Sequence, residues 1–387
     1  MRPELEPEPK RDESHLRAER QRGVERACLL GGAIGDALGA PIEFLPLAQI
    51  RETYGPKGVT DFVEGDWPAG SITDDTQMTL FTAEALIRAK VRWIHKGLAH
   101  GPSVASHAYL RWLQTQGEQA GFPLPTGDLG LLLSVPELHA RRAPGNTCLS
   151  ALKSMTRFGE PLVARNTSKG CGGVMRMAPV GLFDAKGYEG AWQIGAGRWT
   201  FEMGCDFAAL THGHPTGFLT AGVFAVIIGA LATGASIAEA IEIAVHCLMR
   251  REHSDETLRA IQRAQAAAAD GYPSAEVVER LGGGWIAEEA LSIGIYCALV
   301  SKTFEAGVLL AINHSGDSDS TGSIAGNLLG LIHGEEAIPK RWIDGVELSS
   351  LISRVAEDLI DCPDFRSIPA EPKESYEKLC RAAYPGW

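Results

Sequence analysis

The stretch LRAERQRGVERACLLGGAIGDALGA, residues 16–40, sets Leu, Val and Ala at three- and four-residue intervals, the spacing of one face of an α-helix. The same pattern returns in SHAYLRWLQTQ (106–116), TFEMGCDFAALTHGH (200–214), SIAEAIEIAVHCLMRREH (236–253), DETLRAIQRAQAAAADG (255–271), IAEEALSIGIYCALVS (286–301), SIAGNLLGLIHG (323–334) and ELSSLISRVAEDLIDC (347–362). Alanine is abundant, β-branched residues rarely alternate with polar ones, and Gly or Pro stands at the segment ends. No run of alternating strands and no fixed repeat interrupts this series, so the expected fold is all-α: a single compact bundle of at least about ten helices. Residues 1–24 mix acids and bases with three prolines and few large apolar residues, the composition of a flexible charged arm. The globular domain is expected to occupy 25–387.

Composition narrows the partners. The 387 residues are 45% hydrophobic and 22% charged with a formal net charge of -12. Binding nucleic acid needs clustered Lys and Arg, and this balance excludes it as the main partner. Eight cysteines are scattered without a CxxC or a zinc-like pairing with histidine, and are read as reduced thiols. The N-terminal segment lacks the apolar core of a signal peptide, so the expected location is cytoplasmic. TGFLTAGVFAVIIGALATG, residues 216–234, is long and apolar enough to tempt a membrane assignment, but its Gly and Thr content and its entry through His212, His214 and Pro215 fit a central core helix.

Two acidic clusters lie far apart in sequence, Ser71-Ile72-Thr73-Asp74-Asp75-Thr76 and His314-Ser315-Gly316-Asp317-Ser318-Asp319-Ser320-Thr321, and each opens an expected helix. Ser, Thr and Asp at such positions are ordinary N-caps. Capping uses one residue, however, and leaves the second Asp and the flanking hydroxyls of each cluster without a task. Carboxylates interleaved with hydroxyls offer only hard oxygen donors, suited to Mg²⁺, Mn²⁺ or Ca²⁺. Glu43 follows a glycine-rich helical stretch, and Lys169-Gly170-Cys171-Gly172-Gly173-Val174-Met175-Arg176 is a Gly-rich turn of the kind that can aim backbone N–H groups at an anion.

Together GDALGAPIE (35–43), TDDT (73–76), SKGCGGVMRMAPVG (168–181), THGHPTGF (211–218) and GDSDSTGSIAGNLLG (316–330) resemble the ADP-ribosylglycohydrolase family in content, order and spacing over roughly residues 25–345. SKGCGGVMR and HSGDSDSTG are most similar to its ADP-ribosylarginine hydrolase branch. The resemblance implies a compact all-α orthogonal helical bundle around a binuclear Mg²⁺ or Mn²⁺ centre with Thr73, Asp74, Asp75, Asp317, Asp319 and Ser320 as ligands. Ser320 stands where the family often has Thr, and Asp319 is the implied bridge between the ions. Asp74, Asp75, Asp319 and Glu43 are the implied catalytic carboxylates, Glu43 as a gate or proton carrier. The loop Gly170, Cys171, Gly172, Gly173, Val174 and Met175 would hold the pyrophosphate, with His212 against the ligand. The segment Gly284–Glu289 also resembles a family segment whose aromatic, Trp285, would pack near the adenine or fill the core, core packing being the favoured reading, and Tyr109, Arg111 and Trp112 are possible borders of the nucleotide. The implied activity is removal of ADP-ribose from modified arginine on a protein. An alternative makes the chain an immunity protein or antitoxin that binds an ADP-ribosyltransferase toxin, partly through its N-terminal arm.

Overall fold

Glycine at every fourth position lets two helices from opposite ends of the domain lie backbone against backbone. The computed structural model describes residues 13–124, 130–185, 190–362 and 383–385, and among them are seventeen α-helices and no β-strand. In chain order the helices of the first half are α1 (Glu13–Gly39), α2 (Leu47–Tyr54), α3 (Asp74–Lys96), α4 (Gly101–Thr115), α5 (Gly130–Leu133), α6 (Asn146–Lys153), α7 (Ala178–Ala185) and α8 (Arg198–Ala209). The second half adds α9 (Pro215–Ala232), α10 (Ile237–Leu248), α11 (Asp255–Ala269), α12 (Ala275–Leu281), α13 (Ala287–Val300), α14 (Phe304–Ile312), α15 (Ser318–His333), α16 (Lys340–Gly345) and α17 (Ser349–Asp361). The all-α expectation holds. Helix α1 begins at Glu13, so helical backbone enters the stretch read as an arm, while residues 1–12 lie outside the described residues.

α1 and α15 form the most extensive helix pair. They run antiparallel, Gly31 facing Gly326, Gly35 facing Gly322 and Gly39 facing Ser318. A Cβ on Gly35 would stand 1.9 Å from the Gly322 carbonyl oxygen, and one on Gly31 would stand 2.3 Å from that of Gly326. Backbone cannot yield there as a flexible side chain could. Gly35→Ala is expected to lower the unfolding free energy by about 3 kcal/mol, the upper end of ordinary overpacking. Gly23→Ala, in the same helix with open space around it, is expected to raise stability by up to about 1 kcal/mol through helix propensity. Urea titration of the two variants separates these signs, and equal effects would refute the close-packing account.

The apolar segment forms α9, buried around nearly its whole circumference and packed by α7, α8, α10 and α13. It is the core helix expected, and among the described residues it alone is long and apolar enough by itself to cross a membrane. A second buried anchor joins α3 to α4: Glu84 accepts from Arg88 Nε at 3.1 Å and from Arg111 at 2.8 Å, all three fully or nearly fully buried. The C-terminal residues seal this region, with Arg88 donating to the Pro385 carbonyl and Tyr384 donating to Asp358 at 2.8 Å.

Candidate metal centre and binding pocket

The antiparallel register places the end of α1 against the start of α15, and α3 begins at the same place. Both acidic clusters cap their helices as their composition suggests. Thr73 is the N-cap of α3 and accepts from Asp75 N–H, and Asp317 is the N-cap of α15 and accepts from Ser320 N–H. The remaining carboxylates are thereby free to converge, and they do: the Thr73 hydroxyl lies 3.3 Å from Asp319 Oδ2, and the Ser320 hydroxyl lies 3.3 Å from Asp75 Oδ2. Carboxylate oxygens of Glu43, Asp317 and Asp319 lie within 4.8 Å of one another.

Asp36 completes the group and was not singled out from the sequence. It is fully buried on α1 and accepts from Thr73 N–H, the Thr73 hydroxyl at 2.8 Å, Thr76 N–H at 3.1 Å and the Thr76 hydroxyl at 2.5 Å. Its signal was available: an acid in an apolar helical run with no base three or four residues away.

Burial, followed by repulsion from Asp319, pushes Asp36 up to about 7. Burial and then Asp319, Asp317, Asp74 and Asp36 push Glu43 up to about 10. Asp74, Asp75 and Asp317 are driven well above the usual carboxylate range, burial being the first cause for each. A group of buried acids this close needs protons or cations among them. Asp75 Oδ1 is buried with no hydrogen-bond partner among the described residues, and the side chains of Thr73, Asp74, Asp75, Asp317, Asp319 and Ser320 carry only hard oxygen donors. Divalent cations of the Mg²⁺ or Mn²⁺ kind fit this donor set.

The signs give a pH dependence. A carboxyl that keeps its proton when folded and loses it when unfolded favours the folded state at low pH, and that advantage fades as pH rises through the folded value. For Asp36 the window runs from its ordinary 3.8 to about 7. In EDTA the melting temperature is therefore expected to fall across this window and stay low above it, with Mg²⁺ restoring it at neutral pH. A melting temperature that rises across the window would contradict the buried acidic cluster.

Above the carboxylates opens a cavity of about 330 Å³. Asp74, Asp75, Asp317, Asp319, Ser320, Glu43 and His212 line it, whereas Thr73 lies beneath, fully buried. Of the Gly-rich loop, Gly170, Cys171, Gly172 and Met175 reach the cavity; Gly173 and Val174 face the core, where Gly173 abuts Ala208 and the His212 ring. The loop is knitted to the segment before α13: Cys171 N–H donates to the Trp285 carbonyl at 3.2 Å, and Ala287 N–H donates to that of Lys169 at 2.8 Å. Lys169 is paired with Glu256 and Glu288. The Cys171 thiol donates to Asp317 at 2.8 Å.

Arg176 supports the loop from behind, a role that sequence alone did not assign. It is completely buried, donates to the Gly172 carbonyl and to the Thr211 hydroxyl at 2.7 Å each, and covers the Tyr109 ring at 4.4 Å. Thr211 is in turn 2.8 Å from His212 Nδ1. Burial and then the Arg176 charge hold His212 down to about 3, so its imidazole is neutral.

Two expectations are corrected. Trp285 does not pack in the core: it is 40% exposed and stacks on Phe44 at the cavity mouth, centroids 4.9 Å apart. The positive φ of Gly284 turns the chain so that residue 285 projects outward. Tyr109, Arg111 and Trp112 are buried and none lines the cavity, because their helix faces are taken by Arg176, Glu84 and Gln77 respectively.

The sequence model for ADP-ribosylglycohydrolase matches residues 17–366. An uncharacterized protein of Archaeoglobus fulgidus is 27% identical over 352 residues, covering 87% of this chain and 95% of that one. The ADP-ribosylarginine hydrolase Tri1 of Pseudomonas putida is 25% identical and the match covers 88% and 79% of the two chains. An ADP-ribosyl-dinitrogen reductase glycohydrolase of Rhodospirillum rubrum is also 25% identical, with 82% and 88% covered. A solved structure described as an ADP-ribosylglycohydrolase-related protein complex shares the fold with a TM-score of 0.63 at 23% identity, over 89% of this chain and 99% of that one. With the family pattern running through the glycine-packed helix pair, the acidic segments and the loop between them, this chain belongs to the ADP-ribosylglycohydrolase family.

Proposed function

We propose that the protein hydrolyses the N-glycosidic bond between ADP-ribose and a guanidinium nitrogen of arginine on a modified protein. The observation that carries the reading is the meeting of two remote acidic segments and Glu43 around one cavity, in a chain whose relatives include a named ADP-ribosylarginine hydrolase. Asp74, Asp75, Asp317, Asp319 and Ser320, with Thr73 below them, would hold two divalent ions, Mg²⁺ or Mn²⁺. When bound, such ions supply Lewis acidity at the sugar and offset the mutual repulsion of the carboxylates.

The chain's own groups divide the remaining work. Asp319, whose carboxylate oxygen lies close to those of Glu43 and Asp317, would be among the residues that hold the ions. Asp74, oriented by the Gly145 N–H at 3.1 Å, would take the proton of the attacking water. Glu43, half-buried at the mouth, would give a proton to the departing nitrogen, the paired-carboxylate division of other glycoside hydrolyses. Gly170, Cys171 and Gly172 would face the diphosphate, their position set by Lys169 and Arg176. His212, being neutral, serves as a hydrogen-bonding group beside them rather than as a charge.

Incubation with arginine-, serine- and asparagine-linked ADP-ribose, with and without EDTA, tests the reading. Release from the arginine linkage alone, abolished by EDTA, is the expected result. Release only from serine or asparagine, or undiminished release in EDTA, would sink it. The toxin-binding alternative gains no support from the fold, and the first twelve residues of the arm on which it leaned lie outside the described residues.

A further inference from the structure

Two aromatic rings stand in solvent at the cavity mouth, directly beside the carboxylates. Phe44 is 69% exposed, and its ring lies within 24° of parallel to that of Trp285. Both are held by backbone. Phe44 follows Glu43 in the chain, takes a φ of 70° that a bulky residue avoids, and donates its N–H to the Gly316 carbonyl at 3.3 Å. Trp285 follows Gly284, where a Cβ would stand 2.7 Å from the Thr321 methyl, and its carbonyl is engaged by Cys171. Thus each ring is fixed against the segment that carries Asp317 and Asp319.

The cavity beside them offers acids and no basic Lys or Arg side chain: Glu43, Asp74, Asp75, Asp317 and Asp319 line it. An open aromatic face with no basic side chain of that kind lining the cavity beside it suits a flat, delocalised and weakly hydrated cation. Adenine would also stack, but it lies two phosphates away from the bond that breaks, whereas these rings adjoin the carboxylates that would break it. We propose that the Phe44–Trp285 stack seats the guanidinium of the leaving arginine and so selects an arginine linkage over a hydroxyl linkage. This rests on the arginine reading above and adds the residues that would impose it.

N-butylguanidinium and N-butylurea match in shape and differ in charge, so their binding to the full-length protein, saturated with ADP-ribose and Mg²⁺, isolates the effect. By calorimetry the wild type is expected to favour the guanidinium by about three- to thirtyfold, the range of a cation–π contact. Phe44→Leu and Trp285→Leu should each remove much of that preference, and Phe44→Tyr should retain it. Equal binding of the two probes by the wild type, or an unchanged preference in both leucine variants, overturns the proposal. Loss of ADP-ribose affinity in the leucine variants with the probe preference intact would overturn it in favour of adenine stacking. The hydrolysis assay reports separately: selective guanidinium binding without cleavage of the arginine linkage refutes the functional reading, and cleavage without selective binding refutes this one.

Discussion

Asp319→Ala is expected to abolish hydrolysis and divalent-ion uptake together while the helical fold survives. Asp319 is the leading carboxylate source of repulsion on Asp36, Glu43, Asp75 and Asp317, which makes it the hub of the acidic group. With Asp319 a ligand of the ions, its removal is expected to cost at least about 4 kcal/mol of transition-state stabilisation, close to a thousandfold in turnover. The same change relieves repulsion in the chelated protein, so the melting temperature in EDTA should hold or rise while the increase produced by Mg²⁺ disappears. Activity assays, a direct count of bound ions and melting curves with and without Mg²⁺ measure the three effects. A variant with full turnover, or with an intact Mg²⁺-dependent rise, would remove Asp319 from the centre.

Asp36→Ala should act with the opposite sign on the chelated protein. Asp36 lines no part of the cavity; its carboxylate collects two backbone N–H groups and two hydroxyls from Thr73 and Thr76 and thereby anchors the first turn of α3. Alanine leaves those buried donors without an acceptor, a loss of about 3 kcal/mol or more even after some relief of repulsion. The first turn of α3 also carries Asp74 and Asp75, so divalent affinity is expected to fall by about ten- to a hundredfold, the usual effect of losing an outer-shell support. Asp36→Asn, which keeps an acceptor oxygen, should recover part of the stability. If Asp36→Ala unfolds no more easily than the wild type in EDTA, its anchoring role is refuted.

Much of the helical architecture was legible because its signals are local. The periodic apolar spacing of residues 16–40 and the Ser, Thr and Asp caps before α3 and α15 act within one or two turns, so a short window of sequence contains them. The two acidic clusters were legible for a related reason, since capping could not account for all of their carboxylates. Trp285 and Arg176 were not legible. An aromatic after three glycines reads equally well as core or as surface, and an arginine closing a loop gives no sign that its guanidinium turns inward to hold Gly172 and Thr211.

By itself the sequence determined that this chain is helical, that α9 is apolar on every side, and that two short segments carry more oxygen donors than helix ends require. Only the tertiary structure decided which acids meet. The close approach of α1 and α15 brings Asp36 and Glu43 to Asp319 across more than 270 positions of chain, and it depends on glycines whose missing Cβ atoms matter only once the facing backbone is in place. Helix periodicity is a property of neighbours a few residues apart, whereas the pairing of surfaces is set by packing between remote ones, so the contents of the site could be read locally and its assembly could not.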